Sequence, residues 1–512
     1  MNNLLRRPAD SAPQRTMRRT TVAVAVLAAA AALTSVAHAS SGPTSATASA
    51  DTPYTVSATA AARIAWQPCT DPDFKGMDCG TLSAPVDYAH PTGAQVHLAL
   101  VKRPASDPAE RVGTLLMNDG SGGSSIEQLR YALRFGLGNS KMAARFDIIA
   151  MDPRGVGHSQ GIDCTGPAAT ADVDDMPASQ AQFDSLVARN KAFAAACLAQ
   201  NGPLVTHMDM TSTARDFERL RIALDVKQLN WYGIDYSDLL ARTYAQLYPG
   251  HLRTMLLDTA PDDTLPPVEH LADEMTTAEQ AFDDFASWCQ GDAACALHGQ
   301  DVAAAYDRLI AQADQSPIPV KDTGQTLTGQ DIQAATQDYL VIKSVAWPML
   351  GQAISQALAG DATAFTPARD VDKTLNHTQV RVAACLDQPP AATTYPQIVQ
   401  LERMAAELSP HLGGQVRSWT DMTGCLGWPT AAHAPVQSPV TEAPPALILE
   451  SVHQSLSDYP WAFDLATQLP GSRVLSVAGD DYSTYIINPC VVQNADTYLT
   501  TRALPAPGTI CN

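Results

Sequence analysis

Basic residues are scarce in this 512-residue chain: 33 Lys and Arg stand against 53 Asp and Glu. The deficit excludes nucleic acid and anionic membrane surfaces as partners, because both demand a positive face. Beyond the N-terminal region, no apolar run reaches the ~20 residues that a spanning helix needs. No C-x-x-C occurs and no Cys/His spacing suits zinc, so neither a metal nor another cofactor is expected. Repeats and low-complexity tracts are missing from the mature region, which leaves a purely structural shell protein without support.

What is present begins with an export signal. Arg6, Arg7, Arg15, Arg18 and Arg19 precede an uncharged Ala/Val/Leu-rich run from Thr20 to Val36, and Ala37-His38-Ala39 follows. A basic region, a short apolar region and an A-x-A site read as a cleaved signal peptide over residues 1–39, hence a secreted, extracellular protein. Those residues hold five Arg and one Asp, so the mature chain keeps 28 basic and 52 acidic residues, a net charge of −24. Residues 40–60 are rich in Ser, Thr, Ala and Pro and read as a linker. All ten cysteines lie beyond the signal, and an even count in an exported chain points to disulfides. Spacing does not fix connectivity; pairing between sequence neighbours is expected, as Cys69–Cys79, Cys164–Cys197, Cys289–Cys295, Cys385–Cys425 and Cys490–Cys511.

The pattern of the mature chain is that of an α/β protein. Short apolar runs bounded by turn residues, at 113–117, 146–151, 228–232 and 253–257, read as central strands of a mostly parallel sheet. The segments 81–88 and 95–101 read as extended strands before them. From 261 to 440 the periodicity turns helical, which implies a cap inserted into a core formed by 61–260 and 441–512. Strands at 446–450 and 473–477 then resume the sheet. Between the strands at 228–232 and 253–257 lies Gly233-Ile234-Asp235-Tyr236-Ser237, followed by a helical pattern to Tyr248. Strand, tight turn and helix are the layout of a nucleophile elbow, G-x-S-x-G, with Asp235 where a serine would stand.

Longer motifs carry a resemblance. They include Asp152-Pro153-Arg154-Gly155-Val156-Gly157-His158-Ser159 and Arg242-Thr243-Tyr244-Ala245-Gln246-Leu247-Tyr248-Pro249. Further along come Cys425-Leu426-Gly427-Trp428-Pro429, Asn488-Pro489-Cys490 and Leu504-Pro505-Ala506-Pro507-Gly508-Thr509-Ile510-Cys511. With these the chain resembles the secreted tripeptidyl-aminopeptidase and proline-iminopeptidase-like branch of the α/β hydrolases. The resemblance implies an α/β-hydrolase fold with a helical cap. It also implies a Ser-Asp-His triad that releases amino acids or tripeptides from free N-termini.

At the triad positions the chain departs from that pattern. The resemblance puts the serine at Asp235, the acid at Gln454 and the histidine at Tyr482. It puts the oxyanion loop at Asn118, Gly120, Gly122 and Gly123, with Tyr236 after the nucleophile. A carboxylate cannot become an alkoxide, and a phenol titrating near ~10 is no base at neutral pH. Two readings follow. One is a pseudoenzyme that binds peptides with free N-termini, or another small ligand, as a monomer. The other is an active hydrolase with a rearranged site using Asp235, helped by His453, the only histidine close to these loops in sequence. Ser237 reads as a glycine substitute and His158 as loop packing. The acid pairs Asp119/Asp235 and Asp480/Asp481 lack the oxygen-ligand spacing of a cation site.

Overall fold

The computed structural model describes residues 64–512 except 121, 165–174, 263, 367–376, 430–439, 441 and 486; the side chains of 344 and 377 are also left aside. The signal and linker segments, 1–39 and 40–60, lie outside the described residues.

Ten strands form one sheet. They are β1 (Gln67–Pro68), β2 (Asp78–Pro85), β3 (Gln95–Arg103), β4 (Gly113–Asn118), β5 (Phe146–Met151), β6 (Leu229–Ile234), β7 (Leu252–Asp258), β10 (Leu447–Ser451), β11 (Arg473–Val477) and β12 (Ile510–Cys511). Their spatial order is β1-β2-β3-β5-β4-β6-β7-β10-β11-β12. Pairing is antiparallel through β3 and parallel from β5 onward. All eight strand segments read from the sequence fall on strands of this sheet. The apolar runs are continuous because the central strands are covered on both faces. Leu116, Trp231, Met255 and Ile448 pack to one side, and Leu115, Met117, Tyr232, Leu256 and Leu449 to the other.

Parallel register brings the strand ends together. Asn118 pairs with Gly233, Ile234 with Asp258, Leu449 with Asp258, and Ser451 with Val477. The residues that follow β4, β6, β7, β10 and β11 therefore share one edge of the sheet, the carboxyl edge, where open α/β sheets place their ligands.

The region after β7 is helical, with Pro267–Gly291, Val302–Gln315, Gly329–Leu340, Lys343–Leu358, His377–Asp387, Tyr395–Leu408 and Arg417–Cys425. Within this region a small hairpin forms, β8 (Ile318–Pro319) against β9 (Thr326–Leu327). These helices share their own apolar core. Helix Gln180–Asn201 contributes to both cores: Phe183 and Leu186 pack with the cap, Phe193 and Cys197 with the sheet. Five disulfides are formed, Cys69–Cys79, Cys164–Cys197, Cys289–Cys295, Cys385–Cys425 and Cys490–Cys511. No helix among the described residues is long and apolar enough to cross a membrane.

Candidate active site at the elbow

Asp235 follows β6 directly and sits at φ 56°, ψ −126°, a conformation that costs a non-glycine residue of order 1–3 kcal/mol. The surroundings hold it there. Its N–H donates to the Asp258 carbonyl at 3.1 Å, and its carbonyl accepts from the Asp238 N–H at 2.8 Å. The turn is tight enough that a Cβ at Gly233 would lie 2.9 Å from Ser237 Oγ. Ser237 itself is buried, and its hydroxyl accepts from the Trp231 indole at 3.1 Å. It is a packing residue at the start of the helix Tyr236–Leu247. Backbone geometry therefore makes this an elbow with an aspartate at its tip.

The loop after β4 packs on the elbow. Gly120 has φ +85°, and a Cβ there would lie 2.8 Å from the Tyr236 Cβ and 2.9 Å from the Ser237 nitrogen. The Gly120 N–H donates to Asn118 Oδ1 at 3.0 Å, while Asn118 Nδ2 donates to Ser125 Oγ at 3.0 Å. Gly122 lies against Val380 of the cap, and Gly123 lies beneath the Asp119 carboxylate. Asp152 anchors the far end of this loop: it accepts from Ser124 Oγ at 2.8 Å, from the Ile126 N–H at 2.9 Å and from the His158 N–H at 2.8 Å. His158 points its ring at Glu127, 3.3 Å away, in an exposed loop.

The Asp235 carboxylate is held from two sides. Oδ2 accepts from Arg417 Nη1 at 2.5 Å and from the Tyr482 hydroxyl at 3.4 Å. Arg417 opens the cap helix Arg417–Cys425, and its guanidinium lies 5.7 Å from the Tyr236 ring. The Asp235 charge pushes the Arg417 pKa further up, so the cation is permanent. Burial, then the charges of Asp235 and Asp119, push the Tyr482 phenol well up, so it is a donor and no base. The Tyr482 N–H is tied to the cap through the Val341 carbonyl at 3.1 Å.

Asp235 and Tyr482 are thus brought together, while Gln454 makes its hydrogen bonds elsewhere. Its Nε2 donates to Glu450 Oε1 at 3.1 Å and to the Ser457 carbonyl at 2.8 Å, and its Oε1 accepts from the Leu456 N–H at 2.9 Å. His453 turns outward: its Nδ1 lies 3.8 Å from Asp284 of the cap, and 57% of its side chain is exposed.

Several charged residues of the site carry no motif. Asp258, fully buried at the end of β7, accepts from the Thr484 and Tyr485 N–H groups at 3.1 and 3.2 Å, which fixes the loop that bears Tyr482. Burial raises its carboxyl to about 6. Asp238 is fully buried and, among the described residues, neither carboxyl oxygen has a hydrogen-bond partner. Burial, followed by the charges of Asp258, Asp235 and Glu450, pushes its carboxyl well up. Asp421, one turn after Arg417, is raised to about 7, chiefly by burial. Glu274 accepts from the Ser418 N–H at 3.2 Å. The position of Asp258 at a strand's carboxyl end was a usable signal; Arg417, 182 residues from Asp235, offered none. Among the described residues no cluster of three or more His, Cys, Asp or Glu is arranged to hold a metal ion.

A family model described as alpha/beta hydrolase fold matches residues 114–306, and one described as TAP-like protein matches 409–511. The chain is an α/β hydrolase of the tripeptidyl-aminopeptidase-like branch. The first match contains the elbow, the second Arg417, Gln454 and Tyr482. The chain is 27% identical over 479 residues to the tripeptidyl aminopeptidase of Streptomyces coelicolor, covering 88% of this chain and 86% of that one. It is 27% identical over 485 residues to serine protease Hip1 of Mycobacterium tuberculosis, covering 88% and 91%. It is 26% identical over 475 residues to carboxylesterase B of the same species, covering 87% and 89%. The branch thus includes relatives named as peptidases and as an esterase. The α/β-hydrolase frame of this chain surrounds an elbow built from an aspartate, an arginine and a tyrosine.

Proposed function

We propose that this protein is a secreted member of the branch that has lost Ser-His-Asp catalysis. It binds a peptide with a free N-terminus, or another small ligand, in the cleft between sheet and cap. The observation that carries this reading is the ion pair at the elbow tip. Acyl transfer needs a nucleophile, a base within reach of it, and a group that orients the base. Here the tip residue is a carboxylate joined to a permanent cation, its neighbour Tyr482 is a hydrogen-bond donor, and Gln454 bonds within its own loop. Loss of the serine or the histidine alone costs on the order of 10⁶ in turnover in a serine protease. Asp235 as a nucleophile in its own right also fares badly, because Arg417 and Tyr482 draw on the carboxylate's negative charge through Oδ2, and the histidine needed to activate water, His453, faces Asp284 instead. The N-terminal leader and the five disulfides support export.

The purified mature protein, offered aminoacyl and tripeptidyl chromogenic substrates, is expected to release no product above the uncatalysed rate. A fluorophosphonate probe should leave every serine unlabelled. Labelling of any serine, or turnover abolished by Asp235→Asn, overturns the proposal.

A further inference from the structure

A second cleft, of about 510 Å³, opens where the cap meets the loops after β10 and β11. We infer that it binds an organic monocation, an ammonium or guanidinium group carried on a flat or aliphatic body. Its floor is preformed. The Val452 N–H donates to the Val477 carbonyl at 3.0 Å, the His453 N–H to the Gly479 carbonyl at 3.1 Å, and the Ala478 N–H to the Cys511 carbonyl at 2.7 Å. Its wall is one face of the cap helix Pro267–Gly291, where Asp284, Ser287 and Trp288 stand at i, i+3 and i+4. Lys343 closes the other side.

Charge matching inside the cleft leaves one anion over. Lys343 is committed: its Nζ lies 2.9 Å from Asp480 Oδ2 and 4.5 Å above the Trp347 ring. Among the described residues the one ion pair of Asp284 is with His453, at 3.8 Å and beyond hydrogen-bond reach, while Lys343, already held by Asp480, acts on it only at longer range. Partial burial, with a smaller push from the Asp480 charge, raises the Asp284 carboxyl, and His453 and Lys343 offset this only in part. Beside it stands the half-buried Trp288, with its ring fixed against Trp347 and Phe285 at centroid distances of 5.7 and 6.3 Å. An unmatched carboxylate next to an immobilised indole is the pairing that recognises an organic cation, through an ion pair on one side and the ring face on the other. The volume suits a small molecule or a single basic side chain. His453 thereby finds a place that the elbow does not give it. The cleft also shares a loop with the elbow, since Asp480 faces one and Tyr482 the other.

The test is calorimetric titration of the purified mature protein with 2-phenylethylamine, 2-phenylethanol and 3-phenylpropionate. The amine is expected to bind at least about tenfold more tightly than the alcohol, and the acid not at all. Asp284→Asn should weaken the amine roughly tenfold and Trp288→Leu roughly fivefold. His453→Lys leaves every acid in place but installs a cation against Asp284, and should weaken the amine about as much as Asp284→Asn. His453 is exposed, so this variant reports on the site rather than on folding. Equal binding of amine and alcohol overturns the inference, as does an unchanged affinity in His453→Lys. So does binding that survives Asp284→Asn and is lost in Glu274→Gln, because the amine then sits at the elbow.

Discussion

Arg154 gives every donor away. Its Nε and Nη2 reach the two oxygens of Asp216 at 2.7 and 2.6 Å, and the remaining N–H groups reach the carbonyls of Val86, His207 and Pro85. Tyr88 adds a hydroxyl to Asp216 at 2.7 Å, and both charged side chains are 0% exposed. Arg417 gives away one donor. Among the described residues its guanidinium makes a single hydrogen bond, to Asp235, and 34% of its side chain is exposed. The same two residue types meet in both places. In the first, complete satisfaction makes the pair a permanent part of the frame. In the second, the cation bonds Asp235 and also acts on Asp421, and a third of its side chain is open to solvent. Incomplete satisfaction is what a binding site needs, because a ligand can only exchange for contacts that the protein can give up.

The frame pair should give the largest effect when broken. Arg154→Met takes both guanidinium bonds from the buried Asp216 carboxylate and keeps the Tyr88 hydroxyl, and removal of one partner of such a pair costs about 3–5 kcal/mol. Urea unfolding of the mature protein should show that loss as a lower midpoint with an unchanged slope. A midpoint within error of the wild type would place this pair in the same class as the one at the elbow.

Next comes a pH effect peculiar to the elbow side. The Asp258 carboxyl is raised from its ordinary value of 3.8 to about 6, mainly by burial. Below about pH 4 it is protonated in both folded and unfolded chains, and its stabilising contribution is fully present. As pH climbs from about 4 towards 6 the unfolded chain releases the proton first, so stability falls with rising pH. The loss is complete above about pH 6 and amounts to on the order of 3 kcal/mol for a shift of this size. The difference between wild type and Asp258→Asn, measured by unfolding at pH 4.5 and pH 7.5, isolates this contribution. Identical pH dependence in the two proteins would show that folding does not raise the Asp258 carboxyl.

The frame was legible in the sequence because its signals are local. Apolar runs such as Phe146–Met151 and Leu447–Leu449 need only their own residues to be read as buried strands. The elbow was legible for a similar reason: Gly233 and Ser237 bracket the tip at the spacing that a tight strand-to-helix turn imposes. The partner of Asp235 was not legible. Arg417 arrives from a helix 182 residues away, and its approach depends on how the cap closes. Gln454 shows the opposite limit. Its alignment with a triad acid says nothing of where the amide turns, which is back to Glu450 and the Ser457 carbonyl. The helix Gln180–Asn201 serves two cores, so it has no single apolar face from which its neighbours could be inferred.

The smallest effect separates the two arginine pairs most clearly. A double-mutant cycle on Arg417→Met and Asp235→Asn should return a coupling of about 1 kcal/mol, between the values for exposed and for fully buried pairs. The two single variants should also differ. Arg417→Met removes the cation bonded to Asp235 and leaves Asp235, Asp421 and Glu274 repelling one another. Asp235→Asn keeps an oxygen for the Tyr482 hydroxyl and leaves Arg417 the Asp421 carboxylate, so it should cost less. A coupling near 3 kcal/mol would mean that the elbow pair is as structural as Arg154–Asp216, and the site could not open for a ligand by releasing Arg417. A coupling of zero would mean that the cap is held by other contacts, such as Lys343 on Asp480 and the Tyr482 N–H on Val341. Asp235 would then be free to meet a ligand without first giving up a partner.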